Sequence, residues 1–242
     1  SANTMDAVAD RDAAVDYGAG AAILMMHLSR FCEDISLWAS SEYGFIRISS
    51  RASTGSSIMP QKRNPDAAEL IRGKAGRVFG DLQALLVMEK GLPYAYNRDL
   101  QEDKSLFFDI EDTVEGSLKA FAVLVQNIEP SIAAMRAALD EGYVEATDVA
   151  EFLVIKGIPF RTAYQAAKRL VEHCIEEKKS LRSIAQADLS VHEAFDKAAI
   201  DARELAEYLD PVACVARRSQ IGGPAPARVA EQIERLRKFI AP

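Results

Sequence analysis

Apolar residues recur at intervals of three and four along most of the first half of the chain. Between about Asp6 and Tyr43 this spacing, which includes Ile23 and Leu28, predicts one long helix. Gly18 and Gly20 lie inside that helix, where each glycine costs about 1 kcal/mol relative to Ala. We therefore expect another helix to pack closely against the chain at these two glycines.

The same periodicity predicts a second and a third long helix. The second starts at Asn64-Pro65 and runs to about Lys90, because Asn is a favoured N-cap residue and Pro is favoured at the first helical position. The third runs from about Asp99 to Asn127. Long helices joined by modest loops are typical of a helical bundle.

After about Ala138 the predicted elements become shorter and the helix breakers more frequent. The helices expected in this part are Thr147–Lys156, with Thr147 as cap, Phe160–Lys178 and Ala227–Phe239. No alternating run is long enough to build a sheet. The sequence therefore predicts an all-α fold, with a helical-bundle domain at residues 1–137 and a separate small helical domain at residues 138–242.

Composition narrows the classes of function. The chain has 242 residues, of which 49% are hydrophobic and 27% charged, with a formal net charge of −7 and no basic block, which argues against a nucleic-acid partner. No apolar run reaches the roughly 18 residues that span a bilayer, so no membrane partner is expected. Cys32, Cys174 and Cys214 are far apart and lack metal-ligand spacing, so we expect reduced, packed thiols in a cytosolic protein.

The start of the chain is abrupt. It begins with Ser1 instead of Met, and helical patterning follows almost at once. The first residues are typical of neither a signal peptide nor a transit peptide. We therefore expect this sequence to be a fragment of a longer protein.

The segment before the second helix carries the candidate chemistry. A Gly/Ser-rich stretch leads directly into the helix N-terminus, whose free N–H groups and dipole favour anions. Lys62 and Arg63 place cationic side chains there, and Ser56 and Ser57 add hydroxyl groups. These features are consistent with a carboxylate or phosphate ligand. A solvated linker would account for the composition equally well.

The eleven residues Gly55-Ser56-Ser57-Ile58-Met59-Pro60-Gln61-Lys62-Arg63-Asn64-Pro65 resemble the signature of the fumarase/aspartase superfamily, Gly-Ser-Ser-x-Met-Pro-x-Lys-x-Asn-Pro. Gln61, before the lysine, resembles the argininosuccinate lyase family in particular. Other stretches similar to that family are Asp6–Asp12, His27–Arg30, Lys90–Pro93, Tyr96–Lys104, Lys156–Arg161 and Gly222–Pro224. The resemblance covers essentially the whole chain, but only about the C-terminal half of a family member.

The resemblance implies a β-elimination that splits argininosuccinate into arginine and fumarate. Ser56 would be the catalytic base, with Ser57 the weaker candidate, and Lys62 would stabilise the aci-carboxylate intermediate. The substrate-binding positions carried over from the family are Asn64, Tyr96, Gln101 and Lys104. Because Gln101 and Lys104 are three residues apart, we expect them to share a helix face.

The resemblance further implies a cytoplasmic homotetramer whose active sites combine loops from several subunits, with neither a metal nor an organic cofactor. The family's catalytic histidine would lie upstream of Ser1, so the fragment alone is expected to be inactive. His27, His173 and His192 have no paired nucleophile or acid in the sequence pattern, and we interpret them as packing or surface residues. Two alternatives stay open: a non-catalytic, crystallin-like structural protein, and a related fumarate-releasing lyase such as adenylosuccinate lyase.

Overall fold

The computed structural model describes residues 2–55, 58–59 and 63–240, apart from the side chains of Asp140 and Glu141. The chain divides into two compact units, Ser1–Met135 and Arg136–Pro242. Each unit has its own cluster of buried apolar side chains. A hydrophobic core in each unit is what the apolar periodicity in both parts of the sequence requires.

The first unit is a bundle of long helices. Its helices are α1 (Thr4–Ala9), α2 (Asp12–Trp38), α3 (Asp66–Glu89) and α4 (Asp103–Gln126). Helix α2 packs along α3, and α3 packs along α4. The largest fully buried side chains of this core are Met25, Ile71, Leu85, Ile110 and Leu124. The predicted long-helix bundle is thereby confirmed.

The prediction of one continuous helix from Asp6 to Tyr43 is wrong, because the chain leaves the helical conformation at Asp10 and Arg11. Asp10 has φ −62° and ψ 133°, and Arg11 has φ −133° and ψ 16°. The carboxylate of Asp10 accepts the backbone N–H of Asp12 at 2.6 Å, which satisfies a free donor at the start of α2. The break also lets the Arg11 side chain leave the helix surface.

The prediction about the two glycines of α2 holds for one of them. A Cβ atom at Gly18 would lie 3.2 Å from Leu82 Cδ1 on α3 and 3.4 Å from Ile110 Cδ1 on α4. Close packing at Gly18 is therefore confirmed. At Gly20 a Cβ atom would meet nothing within 4 Å, so the prediction is wrong there.

Short antiparallel ladders join the loops of the first unit. Strand β1 (Ile46–Ile48) pairs with β4 (Ile128–Pro130), so that Ile46 lies opposite Pro130. Strands β2 (Thr54–Gly55) and β3 (Arg63–Asn64) form a second pair. A 3-10 turn at Arg98–Glu102 precedes α4. These ladders are too short to form a layer of their own, and the unit remains helical in architecture.

The second unit is built from shorter helices around α6 and α7. Helix α5 (Ile132–Glu141) spans the division between the units. The remaining helices are α6 (Ala146–Ile155), α7 (Phe160–Glu176), α8 (Glu193–Lys197), α9 (Ala202–Tyr208), α10 (Pro211–Arg217) and α11 (Pro226–Ile240), with 3-10 turns at Leu181–Ser183 and Gln186–Val191. The core of this unit includes Phe152, Leu153, Leu170, Phe195 and Leu205. The expected all-α fold is confirmed.

Two further expectations concern the thiols and the bilayer. Cys32, Cys174 and Cys214 are all free and buried, as predicted for packing residues. Burial raises the pKa of Cys32 and of Cys214 to about 11, which keeps these thiols protonated and unreactive. Within the described residues, no helix combines the length and the apolar character needed to cross a membrane.

Candidate active site

The signature segment is fixed at both of its ends. Strands β2 and β3 run antiparallel, with Thr54 opposite Asn64 and Gly55 opposite Arg63. The Thr54 hydroxyl donates a hydrogen bond to the carboxylate of Asp66, the first residue of α3. The segment therefore begins and ends beside the N-terminus of α3, where a sequence-predicted anion site would have to lie.

Ser56 and Lys62, the predicted base and the predicted partner of the aci-carboxylate, lie outside the described residues. The described residues that flank them are Gly55 and Arg63, which face each other in the β2–β3 ladder. Asn64, a predicted substrate contact, is half-buried in β3.

The predicted capping role of Asn64 is wrong. Helix α3 begins at Asp66, Pro65 occupies the N-cap position, and no side-chain hydrogen bond caps the helix there. The backbone of Asn64 is instead extended and paired with Thr54. Because the ladder fixes this residue one position further from the helix, it cannot also be the cap.

Tyr96 and Gln101, two of the predicted substrate-binding residues, contact each other. The Gln101 side-chain amide donates a hydrogen bond to the Tyr96 hydroxyl oxygen at 2.9 Å. Both side chains are exposed, Tyr96 by 53% of its surface. The Tyr96 hydroxyl keeps its own proton for donation, so the pair can present donors to a polar ligand in fixed orientation.

A strained turn holds Tyr96 in place. Ala95 has φ 109°, a conformation that costs a residue with a Cβ atom of the order of 1–3 kcal/mol. The side-chain amide of Asn97 donates to the backbone oxygens of Pro93 at 3.0 Å and Ala95 at 3.1 Å. These two bonds bridge the turn and maintain the conformation of Ala95. Strain that is maintained in this way is common beside functional residues.

Lys104, the last of the predicted binding residues, is the second residue of α4 and is paired with its neighbour Asp103. The Lys104 ammonium lies 3.1 Å from Asp103 Oδ1 and is 63% exposed. The other oxygen of Asp103 accepts a hydrogen bond from Arg11 Nε. Each oxygen of one carboxylate therefore has its own cation.

Burial and charge act on the carboxylates around Arg11 in opposite directions. Burial favours the neutral form of Asp103, but hydrogen bonds from Lys104 and Arg11 outweigh it and lower the pKa of this carboxyl group. Burial raises the pKa of Glu89, and the charges of Asp12 and Asp10 raise it further, while Arg11 lowers it. Arg11 is thus the cation that offsets an acidic neighbourhood.

Arg11, Asp103 and Lys104 line one open cleft in the first unit. Its volume is about 400 Å³. Its other lining residues are mostly small or aromatic, namely Ala13, Ala14, Tyr17, Phe107 and Phe108. A cleft with apolar walls and a few charged groups at one side is the usual form of a site for a small organic ligand.

The histidines of the second unit have structural partners. His192 Nδ1 accepts the backbone N–H of Ala194 and caps α8. His173 Nε2 lies 2.8 Å from Asp188 Oδ1, so the expectation that His173 has no acidic partner is wrong. The two residues meet because the 3-10 turn at Gln186–Val191 packs against α7, a contact that local periodicity does not reveal. Within the described residues, no group of three or more His, Cys, Asp or Glu is arranged to hold a metal.

Sequence reasoning missed the pair formed by Arg11 and Asp103. The two residues are far apart in the sequence, and each lies in a stretch of mixed charges that is typical of a solvated surface. The available signal was the isolated Arg11 among Asp6, Asp10 and Asp12. In the fold the partner of Arg11 is Asp103, which also contacts Lys104.

Comparison with known families agrees with the fold and the signature. A family model described as "Lyase" matches residues 1–80, and a model described as "Argininosuccinate lyase C-terminal" matches residues 143–216. Among solved structures, EDDS lyase in complex with formate superposes with a TM-score of 0.80 at 28% identity, over 96% of this chain and 47% of that one. The fold and the signature define the class as the lyases of the fumarase/aspartase superfamily.

Two curated relatives narrow this class. The argininosuccinate lyase of Pelotomaculum thermopropionicum is 48% identical over 236 residues, which are 98% of this chain and 50% of the relative. The argininosuccinate lyase of Moorella thermoacetica is 47% identical over 241 residues, 100% of this chain and 51% of the relative. Over nearly its whole length, the chain is therefore similar to argininosuccinate lyases. It spans about half the length of the curated relatives that it matches.

Proposed function

We propose that this chain is part of an argininosuccinate lyase, which eliminates fumarate from argininosuccinate and leaves arginine. The geometric observation that supports the proposal is the hydrogen bond of 2.9 Å from Gln101 to Tyr96. This pair lies in the segment directly before α4, and Lys104 is the second residue of that helix. The matching family descriptions and the curated relatives at 47–48% identity support it independently.

The proposed roles follow from where charge develops in the reaction. A base removes a proton from the carbon beside a carboxylate, and the resulting aci-carboxylate carries two negative charges. Ser56 is proposed as the base and Lys62 as the cation that stabilises this intermediate. Departure of the nitrogen then yields fumarate and, after protonation, arginine, which balances the reaction.

Each proposed binding residue would contact a different part of the substrate. Tyr96 and Gln101 would donate and accept hydrogen bonds with the polar groups of the arginine side, and the exposed ammonium of Lys104 would bind a carboxylate. Asn64, at the end of β3, would contact the substrate beside the signature segment. No step in this scheme uses a metal or an organic cofactor.

We also propose that the protein acts as a cytoplasmic homotetramer with active sites shared between subunits. Large apolar side chains on the long helices of the first unit are exposed: Ile23, Phe31, Leu70, Leu86, Val87 and Phe108 are each more than half exposed. Exposed large apolar side chains in this number are consistent with an interface. The first unit is proposed to be part of the central bundle domain, and the second a small C-terminal helical domain.

The direct test is fumarate release from argininosuccinate by the protein as its source organism makes it. Substitution Ser56→Ala should lower kcat by at least about 100-fold, the usual contribution of a proton-transfer group. Ser57→Ala is the matched control and should retain most of the activity.

The outcomes separate the candidate functions. Turnover that collapses only in Ser56→Ala supports both the substrate and the assignment of the base. Turnover of adenylosuccinate or malate, with none of argininosuccinate, would indicate a related lyase with a different substrate. Absence of turnover with every substrate would indicate the non-catalytic, crystallin-like alternative.

A further inference from the structure

Arg11 is held on two sides in the described structure. Its Nη1 donates to the backbone oxygen of Asp10 at 2.7 Å and approaches that of Val8 at 3.5 Å, at the C-terminal end of α1. Its Nε donates to Asp103 Oδ2 at the start of α4. The Arg11 side chain is 21% exposed, so most of it is shielded from bulk water. Arg11 therefore connects the junction of α1 and α2 to α4.

Asp103 links this arginine to a proposed substrate-binding residue. Its side chain is 13% exposed, and its two oxygens separate the two cations, with Oδ2 bound to Arg11 and Oδ1 bound to Lys104. One negative charge thus lies between two positive charges. The group as a whole retains one positive charge, and the part of it that reaches solvent is the ammonium of Lys104, which is 63% exposed.

Removal of Arg11 would abolish the net positive charge of this group. Asp103 and Lys104 would then form a neutral pair, and the carboxylates of Asp10, Asp12 and Glu89 would lose the cation that offsets them. An ammonium held by a partly buried carboxylate has less attraction left for an anionic ligand, and the uncompensated acids would repel that ligand.

We infer that Arg11 is a positioning residue, which occupies one oxygen of Asp103 and so leaves the charge of Lys104 available to a substrate carboxylate. The inference rests on the function proposed above, because it deepens the role of Lys104 in that site. Arg11 need not touch the substrate. The alternative is that Arg11 and Asp103 merely fasten α4 to the end of α1.

Four substitutions separate these two roles in steady-state kinetics with argininosuccinate. Arg11→Gln should raise KM by about tenfold, the effect of weakening one charge-assisted contact, while kcat stays within about twofold. Asp103→Asn should leave KM within about twofold, because Lys104 loses its competitor for the substrate. The double variant Arg11→Gln/Asp103→Asn should recover most of the lost affinity, and Arg11→Lys should recover part of it.

Arg77 provides the matched control. It forms a comparable arginine–aspartate pair between α3 and α4, with Asp109, on the exposed surface of the same unit. Arg77→Gln removes a similar ion pair and should leave KM unchanged. Equal increases of KM in Arg11→Gln and Asp103→Asn, with no recovery in the double variant, would overturn the inference in favour of a fastening role. An unchanged KM in Arg11→Gln would overturn it as well.

A second measurement keeps the inference testable if argininosuccinate is not the substrate. Trace acetylation followed by mass spectrometry reports how readily each lysine amine reacts, with Lys119 on α4 as the internal reference. The reactivity of Lys104 should fall at least about threefold in Arg11→Gln, because Asp103, released from Arg11, then holds the Lys104 amine more closely, and should return in the double variant. Lack of turnover by the unmodified protein would refute the proposed function alone, whereas unchanged Lys104 reactivity would refute the positioning role.

Discussion

At the residue scale, the carboxylate of Asp188 in the second unit contacts three polar groups. Its Oδ2 accepts the backbone N–H of Ala185 at 2.7 Å, and its Oδ1 lies 2.8 Å from His173 Nε2 and 3.0 Å from Lys179 Nζ. The side chain is 8% exposed. The Ala185 hydrogen bond, followed by those of His173 and Lys179, lowers the pKa of this carboxyl group far below its ordinary value.

The lowered pKa of Asp188 in the folded state determines whether the free energy of unfolding rises or falls with pH. The unfolded chain binds a proton at Asp188 near pH 4, while the folded chain does not, so the ionised carboxylate stabilises the fold above that pH and the stabilisation is lost as the pH falls. Asp188→Asn should lower the free energy of unfolding by about 2 kcal/mol at neutral pH. The difference from the unmodified protein should narrow below about pH 4.

Urea unfolding at several pH values measures this difference. Asp196→Asn makes the same chemical change at an exposed position of α8 and should alter the free energy of unfolding by less than about 0.5 kcal/mol. A constant difference between Asp188→Asn and the unmodified protein across the whole pH range would contradict the electrostatic explanation. It would point to the shape of the side chain instead of its charge.

At the scale of elements, Gly18 sets how closely α2 approaches its neighbours. The position has no room for a branched side chain, because Leu82 and Ile110 already lie at contact distance from the point that a Cβ atom would occupy. Gly18→Val should therefore lower the free energy of unfolding by about 1–3 kcal/mol through overpacking. Gly20→Val, in open space two residues on, should change it by less than about 0.5 kcal/mol.

Chemical denaturation of the two valine variants tests this packing. Similar losses in both would mean that valine in α2 is unfavourable for a reason other than contact with α3 and α4. The two variants also distinguish a glycine that merely lies inside a helix from one that neighbouring helices require. The sequence does not distinguish them, since both glycines interrupt the same helical pattern. Periodicity locates a glycine in a helix, but only the neighbouring helices determine whether it is needed there.

The difference between local sequence features and contacts made in the fold explains which elements the sequence predicted correctly. Helix α3 was expected from Pro65 to about Lys90 and is found at Asp66–Glu89, because its periodicity and its proline are local features. The break at Asp10 and Arg11 was missed, and it coincides with two side-chain contacts, that of Asp10 with the N–H of Asp12 and that of Arg11 with Asp103. Asn64 was assigned a cap, which its pairing with Thr54 prevents. In both errors a contact that the periodicity does not reveal overrides a local preference.

At the scale of the whole molecule, the sequence predicted which residues belong to the candidate site, but only some of the contacts between them. The positions of Tyr96, Gln101 and Lys104 came from the resemblance to a family, and the bond between Tyr96 and Gln101 is a finding of the structure. Asp103 and Arg11 were not predicted, because a carboxylate that links two cations has no sequence motif. Charges that act through another residue are found only when the fold places them together.

The proposed tetramer makes a prediction at this scale. The exposed apolar side chains of α2, α3 and α4 should be covered in the assembled protein, since a monomer rarely leaves so many of them in water. Sedimentation of the protein as its source organism makes it should give four times the monomer mass. Phe31→Glu, at a position 60% exposed on α2, should shift the protein toward smaller species.

A monomeric species for the unmodified protein would contradict this proposal. The control is Arg30→Glu, which places the same residue on the neighbouring position of α2, where the natural side chain is already charged. If both variants dissociate the protein equally, charge repulsion alone accounts for the effect. If only Phe31→Glu does so, the apolar contact is the cause.

The pairing of β1 with β4 has a consequence for the order of folding. It joins Ile46, just after α2, to Pro130, just after α4, so both long helices α3 and α4 lie within the loop that it closes. The entropy of closing a long loop must be lost before the few bonds of this ladder can form. Once the helices have folded and packed, the two strands are already close together, and the remaining entropy loss on pairing is much smaller. The amide protons of this ladder should therefore acquire protection from solvent exchange late, after those of the helix interiors, and mark the completion of the bundle.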